Sequence, residues 1–437
     1  MILSLQSRRL FSLAIPMIIS NITTPLIGLV DTAVMGHMQN VSYLAGVSLG
    51  AIILTQVVWI CGFLRMSATG LSAQTYGNQN ADEATRVLLQ TGGLGLVLGV
   101  LLIVLQLPLL SAGLWIAQPS VDVAQAATAY FQIRVWSAPA ALMNLALIGW
   151  LVGQQQHRHI MRIQILANVV NAGLDVALVF GFDMGVKGVA IASVCAELLI
   201  FALAIRLVLR SGNVRMTTAA SLWNGWQRLL SLNSDMLVRN LALQLCLAFV
   251  TYTGISFGDM TASVNAIILQ FFTLIALGLD GLAYAVEALV GEASGANRKA
   301  NLQEQQPLKP IVNNALWWSS MFALGYSAVF LLAGTHIVSL LTDIDTLRMA
   351  MDEYLVLVVA LPVISHWCFL FDGVYIGLTK ARIMRNSMML CMVLFFVPGW
   401  YGLSDYGNWG LWGCFLIFLA LRGVTLGYHF YRYEVSQ

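Results

Sequence analysis

Six carboxylates stand inside long apolar runs of this sequence: Asp31, Asp175, Glu197, Asp280, Glu287 and Asp372. A charge at bilayer depth costs about 2.5–3.5 kcal/mol on insertion scales, which makes each a candidate for function. Four basic residues (Arg65, Arg134, Arg239, Arg422) fall at comparable depth, too few to pair every acid. A buried acid without a cationic partner lowers its cost by taking up a proton or a metal ion. That chemistry couples a membrane protein to an ion gradient.

The spacing of the neighbours sharpens the idea. Asn168, Asn171 and Asp175 follow i, i+3, i+7 and share one helical face, while Ser193 is followed one turn later by Glu197. Asp31, Asn171, Asp175 and Ser193 offer carboxylate, amide and hydroxyl oxygens, the donor set of a cation site, if their helices meet. Asn168 serves equally well as polar glue between helices, worth about 0.6 kcal/mol. Asp31 lies just beyond Pro25 and Gly28. Pro25 removes a backbone hydrogen bond, so the charge state of Asp31 is placed to alter a bend. In the second half, Asp280 and Glu287 are seven apart on one face, and Asp372 directly precedes Gly373-x-x-x-Gly377. Asp372 reads as a second proton or cation site or, equally, as a structural acid held by a partner. Pro16, Pro139, Pro362 and Pro398 read as kinks, and Met35, Tyr130 and Trp136 as candidate walls of a greasy cavity.

These residues need elements that fit a membrane. The chain has 437 residues, 59% hydrophobic and 10% charged, whereas a soluble domain is roughly 25% charged. Twelve apolar runs of about 20 residues are present, at 8–36, 42–64, 86–112, 124–153, 160–181, 187–210, 227–254, 262–290, 309–334, 347–378, 383–403 and 409–432. They are too long and too evenly apolar for barrel strands of about 10 residues. Helices remain, because backbone groups in lipid must pair within their own segment. The expectation is an all-α polytopic membrane protein with twelve transmembrane helices. A soluble enzyme is excluded, and a net charge of +2 with scattered basic residues argues against nucleic-acid binding. No P-loop, HExxH or GxSxG pattern occurs, and the six cysteines form no CxxC pair.

Sixteen of the 22 Lys and Arg fall at ends and loops that are cytoplasmic if the N-terminus is, against Lys187 and Arg348 on the other side. That bias predicts cytoplasmic termini and an even number of spans. The first apolar run reads as a retained span rather than a signal peptide, lacking a clear small-residue cleavage site. A polar linker near Ser211–Gln227 separates two similar halves. Gly70-Leu-Ser-Ala-Gln74-Thr-Tyr-Gly77 aligns with Ala288-Leu-Val-Gly-Glu292-Ala-Ser-Gly295, and Gly149-x-x-x-Gly153 with Gly373-x-x-x-Gly377. The second pair leads in each half to an Ile-Met-Arg triplet, ending at Arg162 and Arg385. Matched elements are six spans apart, so the halves repeat in parallel, the frame of an alternating-access transporter. The expected lobes are 1–216 and 217–437, two pseudo-symmetric six-helix bundles.

The run from Leu13-Ala-Ile-Pro16-Met17 to Asn21, with Gly28-Leu-Val-Asp31-Thr-Ala-Val-Met-Gly36-His37, resembles the first span of the multidrug and toxic compound extrusion (MATE) family. Leu279-Asp-Gly-Leu-Ala-Tyr-Ala-Val-Glu287-Ala and Leu370-Phe-Asp372-Gly-Val-Tyr-Ile-Gly377 resemble its DinF branch. The resemblance spans essentially the whole chain. It implies export of organic, often cationic or amphipathic, compounds in exchange for protons or sodium ions. It places the cation site on Asp31, Asn171 and Asp175, with Ser193 where threonine is expected and Asn144 as a further polar residue. It makes Pro16 and Pro25 pivots of a bending first helix, and maps the second-lobe acid of another branch near Asp372. It further implies a monomer in a bacterial-type inner membrane, with no catalytic residue and no resident cofactor or metal beyond the transported H+ or Na+. A flippase for lipid-linked oligosaccharides is the related rival, but it favours a cationic cavity. A non-transporting scaffold has no need of the polar constellation.

Overall fold

The computed structural model describes residues 4–36, 41–212, 214, 223–298 and 305–434; the side chains of 24–27, 29, 31, 32 and 41 lie outside the description. The chain is all-α. The first half holds α1 (Leu5–Gly36), α2 (Val41–Ile60), α3 (Phe63–Gly77), α4 (Ala81–Val104), α5 (Gln106–Ala117), α6 (Val121–Arg134), α7 (Ala138–Gly153), α8 (His157–Val176) and α9 (Gly185–Arg210). The second holds α10 (Trp226–Ser256), α11 (Asp259–Asn297), α12 (Leu308–Leu341), α13 (Asp345–Gly377), α14 (Ala381–Cys391), α15 (Val397–Leu403) and α16 (Gly407–His429). Several are halves of one span: α2 and α3 meet at Cys61–Gly62 through i→i+3 bonds, and α6 joins α7 through a 3₁₀ turn at Val135–Ser137. Each of the twelve expected spans has its helical counterpart.

The second span outruns its expected end near residue 64 and continues to Gly77. Its last turns carry Ser67, Thr69, Ser72, Gln74 and Thr75, all buried, which break the apolar run. Protein partners hide them: Ser72 Oγ donates to the Trp150 carbonyl (2.8 Å), and Gln154 Nε2 donates to the Ser72 carbonyl (3.1 Å). The following helix opens on a cap, with Asn80 Oδ1 accepting from the Glu83 N–H at 3.1 Å.

By contacts the chain divides into two compact units, Ile19–Leu230 and Met1–Ile18 with Ser231–Gln437. Most of the expected linker at 211–227 lies outside the described residues. Within the first unit, Val34, Met35, Val47, Ala126, Tyr130, Val179, Val186, Val189 and Ala190 form one apolar cluster. The second unit is held by aromatic packing: Phe271 meets Phe330 edge-on at 5.0 Å, and Phe415 contacts Phe272, Trp412 and Phe418.

The repeat read in the sequence is present atom for atom. In the first unit α7 crosses α3, where a Cβ on Gly149 would lie 2.4 Å from the Arg65 carbonyl oxygen and one on Gly153 2.6 Å from the Ala73 nitrogen. In the second unit α13 crosses α11, where a Cβ on Gly373 would lie 2.8 Å from the Ala283 carbonyl oxygen and one on Gly377 2.9 Å from the Gly291 nitrogen. Arg65 and Ala73 correspond to Ala283 and Gly291 under the same shift that pairs Gly77 with Gly295. Small residues let the backbones approach, the main source of helix association in lipid. The turns after the two Gly-x-x-x-Gly motifs match as well. Gln156 N–H bonds the Leu151 carbonyl and Lys380 N–H the Tyr375 carbonyl, each at about 3 Å, with Gln155 and Thr379 at φ of 59° and 56°. This is the six-to-one bond of a Schellman end, repeated.

Candidate functional site

The polar groups of the first unit begin on the seam between α1 and α8. Ser20 donates to Gln164 Oε1, Asn168 Nδ2 donates to Thr23 Oγ1 at 3.0 Å, and the Thr23 hydroxyl caps the Ser20 carbonyl at 2.7 Å. Asn168 is therefore glue. Gln164, Asn168, Asn171 and Asp175 make one continuous stripe along α8. Asn171 and Asp175 are 3% and 0% exposed, and the buried Asn171 Nδ2 makes no hydrogen bond. Asp175 stands two residues before a π-helical turn at Ala177–Gly181, a widening of the helix that recurs at functional sites. Ser193 is half-buried on α9, which packs against α8. The side chains of Asp31 and Pro25 lie outside the described residues. Pro16 is buried in an unbroken α1, two residues before the division between the units.

A second cluster ties three helices of this unit together. Glu197 of α9 accepts from Arg134 Nη2 at 3.2 Å and from Asn144 Nδ2 at 2.9 Å, and its carbonyl accepts from the same Asn144 nitrogen at 3.0 Å. Arg134 also donates to Ser137 Oγ. Both partners of the Asn144 amide nitrogen are acceptors, so the amide cannot be flipped, and its Oδ1 is left buried with no hydrogen bond. Asn144 thus ties α7 to Glu197 of α9. Both charges were visible inside apolar runs of opposite half-spans, but only the folded chain pairs them.

The cavity candidates separate. Met35 and Tyr130 belong to the buried apolar cluster, while Trp136 is 63% exposed. A groove of about 790 Å³ instead runs along the other face of α6, where Gln125, Thr128 and Gln132 alternate with Ala129 and Ile133 beside Lys187.

In the second unit Asp372 takes the held alternative. Its Oδ2 accepts from Arg239 Nη2 and, at 2.7 Å, from Arg422 Nη2, with all three residues at least nine-tenths buried. Glu287 is buried on α11, at the turn Gly377 crosses, and Asp280 is half-buried one face-repeat earlier. Nearer the helix ends, Arg9 meets Glu292 at 2.5 Å, Arg385 meets Asp235 at 2.5 Å and Lys380 meets Glu434 at 2.6 Å. Among the described residues no group of three His, Cys, Asp or Glu is placed to hold a metal ion.

Comparison with known proteins agrees with this architecture. The MatE family pattern matches residues 16–177 and 236–401. DNA damage-inducible protein F of Escherichia coli K12 is 42% identical over 428 residues, covering 97% of this chain and 92% of that protein. A probable multidrug resistance protein NorM of Rhizobium meliloti is 23% identical, covering 96% and 92%. Among solved structures, a MATE in the bent conformation superposes with a TM-score of 0.87 at 18% identity, covering 99% of this chain and 96% of that one. An outward-facing multidrug resistance MATE transporter gives 0.87 at 17%, covering 98% and 95%.

Proposed function

Because this chain belongs to the MatE family of multidrug and toxic compound transporters, we propose that it exports organic compounds by exchange for a cation bound in the first unit. Asp31 and Asp175 are the exchanging carboxylates, with Asn171, Ser193 and the Asn144 carbonyl oxygen completing the polar shell. The entering ion is a proton; sodium is the variant that the same oxygens allow. The reading rests chiefly on the register of α1 against α8. The pairs Ser20–Gln164 and Thr23–Asn168 advance together along two parallel helices. Continuing the same advance two turns further brings position 31 level with position 175. The buried Asn171 also lies on that stripe, its Nδ2 making no hydrogen bond. An oxygen-lined position away from water favours a bound proton or small cation over a bare carboxylate.

Coupling acts through α1. Pro16 withholds one backbone hydrogen bond beside the unit division, and Pro25 withholds another within two turns of Asp31. Filling or emptying the site shifts which course of α1 is stable. Cytoplasmic termini fit the sixteen-to-two bias of basic residues, and an inner-membrane location fits the similarity to a bacterial relative.

The test is efflux of a fluorescent organic cation from proteoliposomes under separately imposed proton and sodium gradients. Asp31→Asn and Asp175→Asn should each abolish gradient-driven efflux. Pro16→Ala should slow turnover with substrate binding retained. Efflux by Asp31→Asn at the wild-type rate, with unchanged counter-ion flux, would refute the scheme; drive by sodium alone would fix the ion.

A further inference from the structure

We propose that the second unit carries a built site for a small anion or an organic carboxylate, formed by Arg239 and Arg422 around Asp372. The two guanidiniums face one carboxylate, and both direct Nη2 to the same oxygen, Oδ2. The cluster therefore keeps a net charge of +1 inside the unit. Asp372 is the carboxylate that both arginines contact. The Nε–H of Arg239 and the Nε–H of Arg422 are both buried and both without an acceptor. Arg239 passes one further donor to Asn240 Oδ1 at 3.0 Å, and the ring of Phe418 lies 5.6 Å beneath Arg422.

A surplus buried cation with idle donors is costly unless an anion joins it. The guanidinium edge suits a planar carboxylate, which it can grip with two parallel bonds, and it accepts a halide less selectively. The side chains of Asp372 and Arg239 keep 10% and 8% of their surface accessible, so the cluster is not sealed on every side. In the first unit Arg134 meets Glu197 one to one. The two units thus present opposite preferences, oxygens for a cation in one and donors for an anion in the other.

The site is tested on the full-length protein in nanodiscs by calorimetry and thermal denaturation, with sodium chloride and sodium benzoate each titrated against isosmotic sucrose. Both probes should bind the wild type and raise its melting temperature. Arg422→Gln and Arg239→Gln should each weaken binding at least tenfold. Asp372→Asn adds one net positive charge, so it should tighten binding about tenfold, and an unstable Asp372→Asn protein should be rescued by either probe. Benzoate binding more tightly than chloride assigns the site to organic carboxylates; chloride alone assigns it to inorganic anions. Absence of binding by the wild type, or binding unchanged in both arginine variants, would overturn the proposal. So would an Asp372→Asn protein that is destabilised and indifferent to anions, because a purely structural ion cluster behaves that way.

Discussion

Glu197 uses both carboxylate oxygens on groups from other parts of its unit, Arg134 on one side and Asn144 on the other. Removing one member of such a partly buried pair leaves the other charged and under-bonded, at a cost of about 1–3 kcal/mol. Glu197→Met and Arg134→Met should each lower the melting temperature of the purified protein. The double substitution should cost clearly less than the sum, since it removes both charges at once. Strict additivity in that cycle would mean that the pair contributes nothing jointly. Asn144→Ala adds a transport readout. It should reduce cation-driven efflux more than it reduces stability, because it deletes the carbonyl oxygen assigned to the site; loss of stability alone would leave Asn144 a brace. Asn144 had no local pattern around it, and its position followed from family resemblance. Asn171 and Asp175 were legible because helical spacing puts them on one face.

At the scale of the helix, the crossing of α3 with α7 and of α11 with α13 sets how closely the spans approach. Gly149 and Gly373 meet carbonyl oxygens at 2.4 and 2.8 Å from where a Cβ would stand, whereas Gly325 on α12 has open space. Gly149→Ala and Gly373→Ala should each destabilise by about 1–3 kcal/mol through overpacking. Gly325→Ala should be neutral or slightly stabilising, as alanine is the better helix former by up to about 1 kcal/mol. Thermal unfolding in detergent distinguishes them, and equal behaviour of all three variants would contradict the crossings. The motif was visible as glycine spacing in both halves. The length of the second span was not, because hydropathy falls where Ser67 through Thr75 begin. Ser67, Thr69 and Thr75 donate to carbonyls of their own helix, but Ser72 is met by a helix about 80 residues on, and no window of local sequence contains that partner.

For the whole chain, the distribution of basic residues predicts which loops face which side. With Cys195, the one exposed cysteine, replaced by alanine, Lys187→Cys should react with an impermeant maleimide added outside intact cells. Arg158→Cys should react only after permeabilisation. The reverse pattern would invert the proposed direction of exchange. The class of the protein was settled by composition, since so few charges leave lipid as the only solvent for these helices. The duplication was legible because small residues at fixed spacing are needed wherever two backbones touch, in either half. What folding alone decided is which charges neutralise each other. Arg134 and Glu197, or Arg239, Arg422 and Asp372, lie far apart along the chain, and an ion pair depends on distances of a few ångströms that helix periodicity does not carry from one span to the next. Sequence therefore named the residues able to hold charge in the membrane, and tertiary structure sorted them into a balanced pair and an unbalanced cluster.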